Sequence, residues 1–507
     1  MLLVETPPQA VVGGRVAALL RQRPGHVVVA MAVLTCLLGW LPFMGRPLSP
    51  DESGLLMVAR QWAPGDSLYG DYWVDRPPVL IALVALGNLF GGAWGLRILG
   101  IVAVFTSVLL AGRLGRVVAP HVPTAALLPA ATAAILVGTP LFGGTVVNAE
   151  LLGLPLLLAG MIAAVTASRS AGFREALWWG TAAGAAGAGA VLTKQNLLDV
   201  LVFLLALLIT GGLTRQGRAH ARTALATALG AALGGATVLV VVVSGAAALG
   251  TDPVDLWSAA VTFRWEAASV VLESPSSGER FRLMLLALLG SGAPLLVGVL
   301  LPRLRRRAVG APAHPDFRLP VLAVLAWESA AVVAGGSYWL HYLMGLVPGL
   351  VLLAAVTGLP DRVRASLALT YGLLVVSTLC SIGWVAVHPI DRPEQEVATY
   401  LSDRAQPGDT AMVAFGVSSI LESSGLESPY PHLWSLPVRV RDPQLHELAA
   451  VLASPDRPTW LVISGIGLGS WGLDTTAAQP LIARHYDRVA DVAGYRIFRE
   501  SEARRWW

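Results

Sequence analysis

Val27-Val28-Val29-Ala30-Met31-Ala32-Val33-Leu34-Thr35-Cys36-Leu37-Leu38-Gly39-Trp40-Leu41-Pro42-Phe43-Met44 runs into Gly45-Arg46-Pro47-Leu48-Ser49-Pro50-Asp51-Glu52. The first part is apolar over about 18 residues, enough to cross a bilayer core as a helix. The second part sets two adjacent carboxylates where that helix would leave the membrane. Such a pair is costly to desolvate and adds nothing to an anchor. It makes sense where something must accept a proton or bind a cation. The chain continues through Tyr69-Gly70-Asp71-Tyr72-Trp73-Val74-Asp75-Arg76-Pro77-Pro78, a polar and aromatic stretch, before turning apolar again.

The whole chain follows the same pattern. Of 507 residues, 55% are hydrophobic and 13% charged, against roughly a quarter charged in soluble domains. Mean hydropathy is +0.65. This describes a polytopic α-helical membrane protein and excludes a soluble globule. The net charge of +4 comes largely from arginines on short loops. That is an orientation signal, not a nucleic-acid footprint. Cys36 and Cys380 both lie in apolar runs and read as small buried residues, not as a disulfide or metal site. Met1 to Arg23 has no apolar core of its own, so no cleavable signal peptide is expected. Of 36 basic residues, one is a lysine, Lys194. The arginine bias points to a GC-rich, actinobacterial-type genome, and a lone lysine against it hints that arginine would not serve there.

Apolar length predicts about eleven spans: 26–44, 95–113, 123–141, 151–167, 175–193, 197–213, 223–249, 281–301, 318–335, 340–358 and 366–387. The run from Pro77 to Leu89 is too short to cross and reads as an amphipathic interfacial segment. Arg15, Arg21, Arg23, Arg113, Arg116, Arg169, Arg174, Arg215, Arg218, Arg222, Arg303, Arg305, Arg306, Arg307, Arg362 and Arg364 fall on one side. The positive-inside rule makes that side cytoplasmic, together with the N-terminus. Asp51, Glu52, Asp71, Asp75, Glu150, Asp252, Asp255 and Glu266 fall on the other. The expected outer features are a loop over 45–94, Asn148-Ala149-Glu150, a Lys194-Gln195-Asn196 hairpin, a loop over about 250–280, and a Ser337–Tyr342 hairpin.

Residues 1–387 are thus expected to form a transmembrane domain, and residues 388–507 a small extracytoplasmic α/β domain. Within the latter, Pro393–Ala405, Pro443–Ala453 and Ala477–His485 read as helices. Thr410–Phe415, Thr459–Ser464 and Arg496–Arg499 read as strands. No nucleophile elbow or metal-ligand spacing occurs there, so this tail is expected to bias acceptor choice and not to perform chemistry.

Several motifs carry a resemblance. Pro50-Asp51-Glu52, Val58-Ala59-Arg60-Gln61, Gly70-Asp71 and Asp75-Arg76-Pro77-Pro78-Val79-Leu80 together resemble the first outer loop of the GT-C glycosyltransferases. The branch that they resemble holds the protein O-mannosyltransferases and the lipid A aminoarabinose transferase. Leu192-Thr193-Lys194-Gln195 is similar to that branch's lysine hairpin. Tyr338-Trp339-Leu340-His341-Tyr342, followed by Pro348, is similar to a later outer hairpin, and Glu150 falls where the family has a second acidic residue. The resemblance spans roughly residues 26–360. It implies transfer of a sugar from a polyprenyl-phosphate donor to an acceptor on the outer face of the plasma membrane. It implies that Asp51 is the general base, and that Lys194 and Arg76 hold the donor phosphate. Arg76 stands where the aminoarabinose branch usually has lysine; an arginine still pairs with phosphate.

The residues support that chemistry on their own terms. A departing lipid phosphate needs cations more than a general acid. Arg76 and Lys194 supply them, with Arg282 as a third candidate. The acceptor hydroxyl needs a base, and the Asp51-Glu52 pair offers one. A single displacement inverts the anomeric centre, whereas two carboxylates about 5 Å apart permit a double displacement. Asp71, Asp75, Glu150, His341 and Tyr342 are candidates for acceptor binding or secondary roles. No cofactor is required; a divalent metal at Glu150 is the one candidate. The acceptor class, whether protein, lipid or glycan, stays open. Mannose and arabinose are the sugars an actinobacterial donor would carry.

Plainer explanations stand beside these. Asp51 and Glu52 suit the cap of a helix starting at Glu52. Asp71 and Asp75 suit loop shaping or pairing with Arg60 and Arg76. Glu150 suits a solvated span end, Lys194 snorkelling, and His341 interfacial packing. Tyr69, Tyr72, Trp73, Tyr338 and Trp339 suit interface anchoring. At the level of the molecule, a transporter or lipid flippase and a non-catalytic envelope-assembly factor are the alternatives. Transport sites favour ionisable groups inside spans, and here Asp199 and Glu328 are the chief ones.

Overall fold

A computed structural model describes residues 22–214, 218–272, 276–306, 316–357, 365–465 and 467–501. Arg15, Arg21, Arg215, Arg307, Arg362 and Arg364, counted above for orientation, lie outside the described residues.

Each of the eleven apolar runs is helical, but they are not equivalent. Six described helices are long and apolar enough to cross a membrane: Pro24–Phe43, Ala93–Val118, Ala149–Arg169, His220–Ala248, Leu340–Thr357 and Ala365–Val387. A seventh is obtained if Ser277–Gly290 and Ala293–Leu304, bent by 59°, count as one span. The bend falls at Gly292, whose φ of +78° suits glycine. Leu127–Gly138 and Asp199–Gly212 are apolar but shorter. Leu127–Gly138, at 12 residues, is about 18 Å long at 1.5 Å per residue. Apolar content alone therefore overstated span length.

Small residues let the helices close up, as in membrane packing generally. Phe173–Val191 crosses Arg218–Ala248 so tightly that a Cβ on Gly184 would lie 2.0 Å from the Ala231 carbonyl, and one on Gly234 would lie 2.0 Å from that of Thr181. Pro78–Leu89 is helical from a proline in its first turn. It is apolar on both faces, not amphipathic as expected. Leu80, Ile81 and Val84 are buried, while Leu86, Leu89 and Phe90 are exposed. Cys36 is half-buried and Cys380 exposed. Buried cysteines were expected; an apolar exterior lets Cys380 sit on the outside of its span instead.

The C-terminal segment forms a four-stranded sheet of β1 (Ala411–Ala414), β2 (Trp460–Ser464), β3 (Tyr486–Val492) and β4 (Tyr495–Glu500) in the order β1-β2-β4-β3. β1 and β2 are parallel, and the other pairs are antiparallel. Side chains alternate between the faces. Val413, Val462 and Ile497 join the core that continues into the spans. Met412, Leu461 and Ile463 join a second core with Val438, Leu448 and Leu452. β3 was not foreseen, because its Asp487, Arg488 and Val489 are exposed and offer no apolar face.

This segment rests on the first outer loop. Trp73 N–H donates to the Pro431 carbonyl at 2.9 Å, and Ser428 N–H donates to the Tyr72 hydroxyl at 3.0 Å. Ser418 Oγ donates to the Pro50 carbonyl at 2.5 Å, and Arg60 pairs with Glu422.

Candidate active site

The acidic pair opens helix Pro50–Gln61, whose cap is Ser49. The helix therefore begins two residues earlier than the capping argument from Glu52 supposed. Ser49 Oγ accepts the Glu52 N–H, and Glu52 accepts the Ser49 N–H at 2.9 Å, a reciprocal capping box. Glu52 is fully buried. Its Oε1 is 2.9 Å from Arg97 Nε and accepts the Val147 N–H at 2.9 Å, and its Oε2 accepts from Arg97 Nη2 at 3.0 Å. Both oxygens are engaged with groups that lock three segments together. The structure thus separates Glu52, expected beside Asp51 as catalytic, from open space.

Asp51 takes the opposite course. Ser49 and Glu52 have already capped the helix, so its carboxylate is free to face outward. It is exposed and accepts a hydrogen bond from Trp434 Nε1 at 2.9 Å.

Lys194 lies in the short turn between helices Phe173–Val191 and Asp199–Thr214. Its ammonium pairs with Glu150, in the first turn of Ala149–Arg169. The same ammonium stands 4.6 Å from the Tyr342 ring centroid. The His341 and Tyr342 rings are 5.1 Å apart, edge to face. Gln195 holds the turn in place through Nε2–H bonds to the Asp75 carbonyl at 2.9 Å and the Ala260 carbonyl at 3.1 Å. Asp75 is buried between Arg76 at 2.6 Å and Arg264 at 2.7 Å.

Electrostatics tie these groups into one cluster. Arg76 feels Asp75, Asp51, Tyr342 and Glu150. His341 feels Glu150, Lys194, Asp51 and Arg76. Burial pulls Lys194 below the ordinary lysine value against the upward pull of Glu150, with Arg76 and Arg264 acting alongside burial. Burial pushes the Asp75 carboxyl up, but Arg264 and Arg76 together outweigh it and hold it below the ordinary aspartate value. The cations keep unused donors. An ammonium has three N–H groups and a guanidinium five, and the ion pairs to Glu150 and Asp75 engage one on each.

Asp51, Asp75, Arg76, Glu150, Lys194, His341 and Tyr342 are therefore brought together. Arg282 is not among them: it is exposed and paired with Glu279, one helical turn back. Arg280, two residues before it, lies 4.2 Å over the Trp339 ring instead. Asp71 is exposed. Arg60, an expected partner of Asp71 or Asp75, pairs with Glu422 of the C-terminal segment. Among the described residues, no group of three or more His, Cys, Asp or Glu side chains is placed to hold a metal ion.

Arg97, Arg264, Arg280 and Trp434 were missed. Arg97 and Arg264 had a weak signal in the sequence, as arginines on or next to the outer side. Trp434 had none. Asp199 and Glu328 lie within electrostatic reach of each other, and Glu328 accepts the Gly349 N–H at 2.6 Å. Both are buried.

No protein-family model matches this sequence, and no curated protein matches it. Solved structures do. ArnT from Cupriavidus metallidurans bound to undecaprenyl phosphate superposes with a TM-score of 0.64 at 15% identity, covering 94% of this chain and 98% of that one. The apo oligosaccharyltransferase of Archaeoglobus fulgidus superposes with a TM-score of 0.56 at 11% identity, covering 95% and 75%. The same enzyme tethered to an acceptor peptide containing the NVT sequon gives 0.50 at 10%, covering 96% and 75%. The chain is a helical membrane protein with the fold of the GT-C glycosyltransferases. At these identities the likeness is one of fold.

Proposed function

We infer that this protein is a glycosyltransferase that moves one sugar from a polyprenyl-phosphate donor to a hydroxyl acceptor outside the plasma membrane, with inversion. The observation that carries the reading is the convergence of Asp51, Arg76, Glu150, Lys194, His341 and Tyr342 from four separate segments. Support comes from the shared fold with a protein solved with undecaprenyl phosphate.

The acceptor oxygen attacks the anomeric carbon as its proton passes to Asp51. The bond from that carbon to the phosphate oxygen breaks, and the lipid phosphate leaves as an anion. The spare N–H groups of Lys194 and Arg76 meet the charge that builds on it. Glu150 fixes the Lys194 ammonium, and Tyr342 supplies an aromatic face beside it. Mannose and arabinose are the sugars to test first. The transporter reading needs an ionisable path through the membrane, and Asp199 and Glu328 are instead packed shut between helices.

The test uses purified protein in detergent with polyprenyl-phosphate sugars and a hydroxyl acceptor, and measures released polyprenyl phosphate. Asp51→Asn keeps the side chain's size but cannot take a proton, so kcat should fall by roughly 10²–10⁴ with donor KM nearly unchanged. Release by wild type and Asp51→Asn at equal rates removes the base assignment. No release from any such donor removes the transferase reading.

A further inference from the structure

We propose that Trp434 is a positioning residue for the Asp51 carboxylate, so that the C-terminal segment completes the site; this rests on the reading of Asp51 as general base. Indole nitrogen can only donate. Its N–H therefore engages Oδ1 at 2.9 Å and leaves Oδ2, which accepts no hydrogen bond among the described residues, to receive a proton. Nothing local would otherwise orient this side chain. An acid at the helix cap ordinarily turns back to the free N–H groups, but here Ser49 is the cap and its Oγ already takes the Glu52 N–H.

The indole is itself held. Gly54 lies under it, and a Cβ there would sit 2.4 Å from ring atom Cζ2. Glycine inside a helix is less favourable than alanine by roughly 0.5–1 kcal/mol, and the ring's approach accounts for it. On one side of Trp434 the chain is pinned by Ser428 to Tyr72 and by Pro431 to Trp73. On the other, Arg439 donates to the Val270 carbonyl at 2.7 Å, Arg441 donates to Ser258 Oγ at 3.2 Å, and the Arg441 guanidinium covers the Trp73 ring at 4.0 Å. The donor is thus fixed relative to the first outer loop and the loop over about 250–280 at once.

The experiment compares Trp434→Phe in the wild-type and Asp51→Asn backgrounds, reading kcat and donor KM separately. Phe keeps the ring and removes the donor. We expect kcat to fall about tenfold in the wild-type background, with donor KM unchanged and under about twofold further loss on Asp51→Asn, because an amide that cannot take a proton gains nothing from being positioned as a base. Gly54→Ala, which pushes the indole aside without deleting it, should reproduce the kcat loss and keeps the test decisive if Trp434→Phe folds poorly. Equal loss in both backgrounds, or full activity of Trp434→Phe, overturns the proposal. A wild-type protein without turnover overturns the functional reading and this proposal with it. A wild-type protein that turns over beside a fully active Trp434→Phe overturns this proposal alone.

Discussion

Asp51 and Glu52 are neighbours in sequence with opposite environments. One is exposed with one oxygen held; the other is fully buried with both oxygens engaged. A helix explains the split, because consecutive residues point about 100° apart. The pair stood out in the sequence, but its split into an exposed and a buried carboxylate did not, since that depends on Arg97, which lies 45 positions from Glu52. Removing one partner of a buried ion pair typically costs about 3–5 kcal/mol. Glu52→Gln should therefore lower thermal stability in detergent by several degrees, while Asp51→Asn leaves it nearly unchanged. A Glu52→Gln protein with unaltered unfolding temperature and lost turnover would return Glu52 to the chemistry.

At the scale of elements, positions were readable and boundaries less so. Each of the eleven apolar runs is helical over its described residues, because burial in lipid demands internally satisfied backbone. Breaks inside the runs were hidden: the 59° bend at Gly292 and the 3₁₀ start at Leu340–Leu346 do not interrupt the apolar pattern. The contact of Glu328 with helix Val347–Thr357 was equally hidden, for it needs a glycine whose neighbour is remote in sequence. A Cβ on Gly349 would fall 2.2 Å from Glu328 Oε2. Gly349→Ala should force that carboxylate off the Gly349 N–H and destabilise the protein by about 1–3 kcal/mol. Matching melting curves for the two proteins would show that the helices part without penalty.

At the scale of the molecule, the charge asymmetry predicts orientation. Arg174 and Val489 are both exposed and stand on opposite sides in that scheme. In intact cells, Val489→Cys should react with a membrane-impermeant thiol reagent, while Arg174→Cys should react only after permeabilisation. The reverse pattern would invert the topology and move the candidate site to the cytoplasm. The lysine hairpin and the aromatic hairpin were legible because each is a short motif between apolar runs. The meeting of the tail with the first loop was not. No local pattern links Trp434 to Asp51 across 383 positions.

That distance has a consequence in time. At about 5–20 residues per second of synthesis, roughly 20 to 80 s separate emergence of Asp51 from emergence of Trp434. Throughout that interval the nascent chain lacks the docked tail. A ribosome that stalls or terminates early thus releases a product without the Trp434 contact. If Trp434 positions Asp51 as proposed, full-length translation becomes a condition for a finished site, and unfinished chains should turn over more slowly than the whole protein.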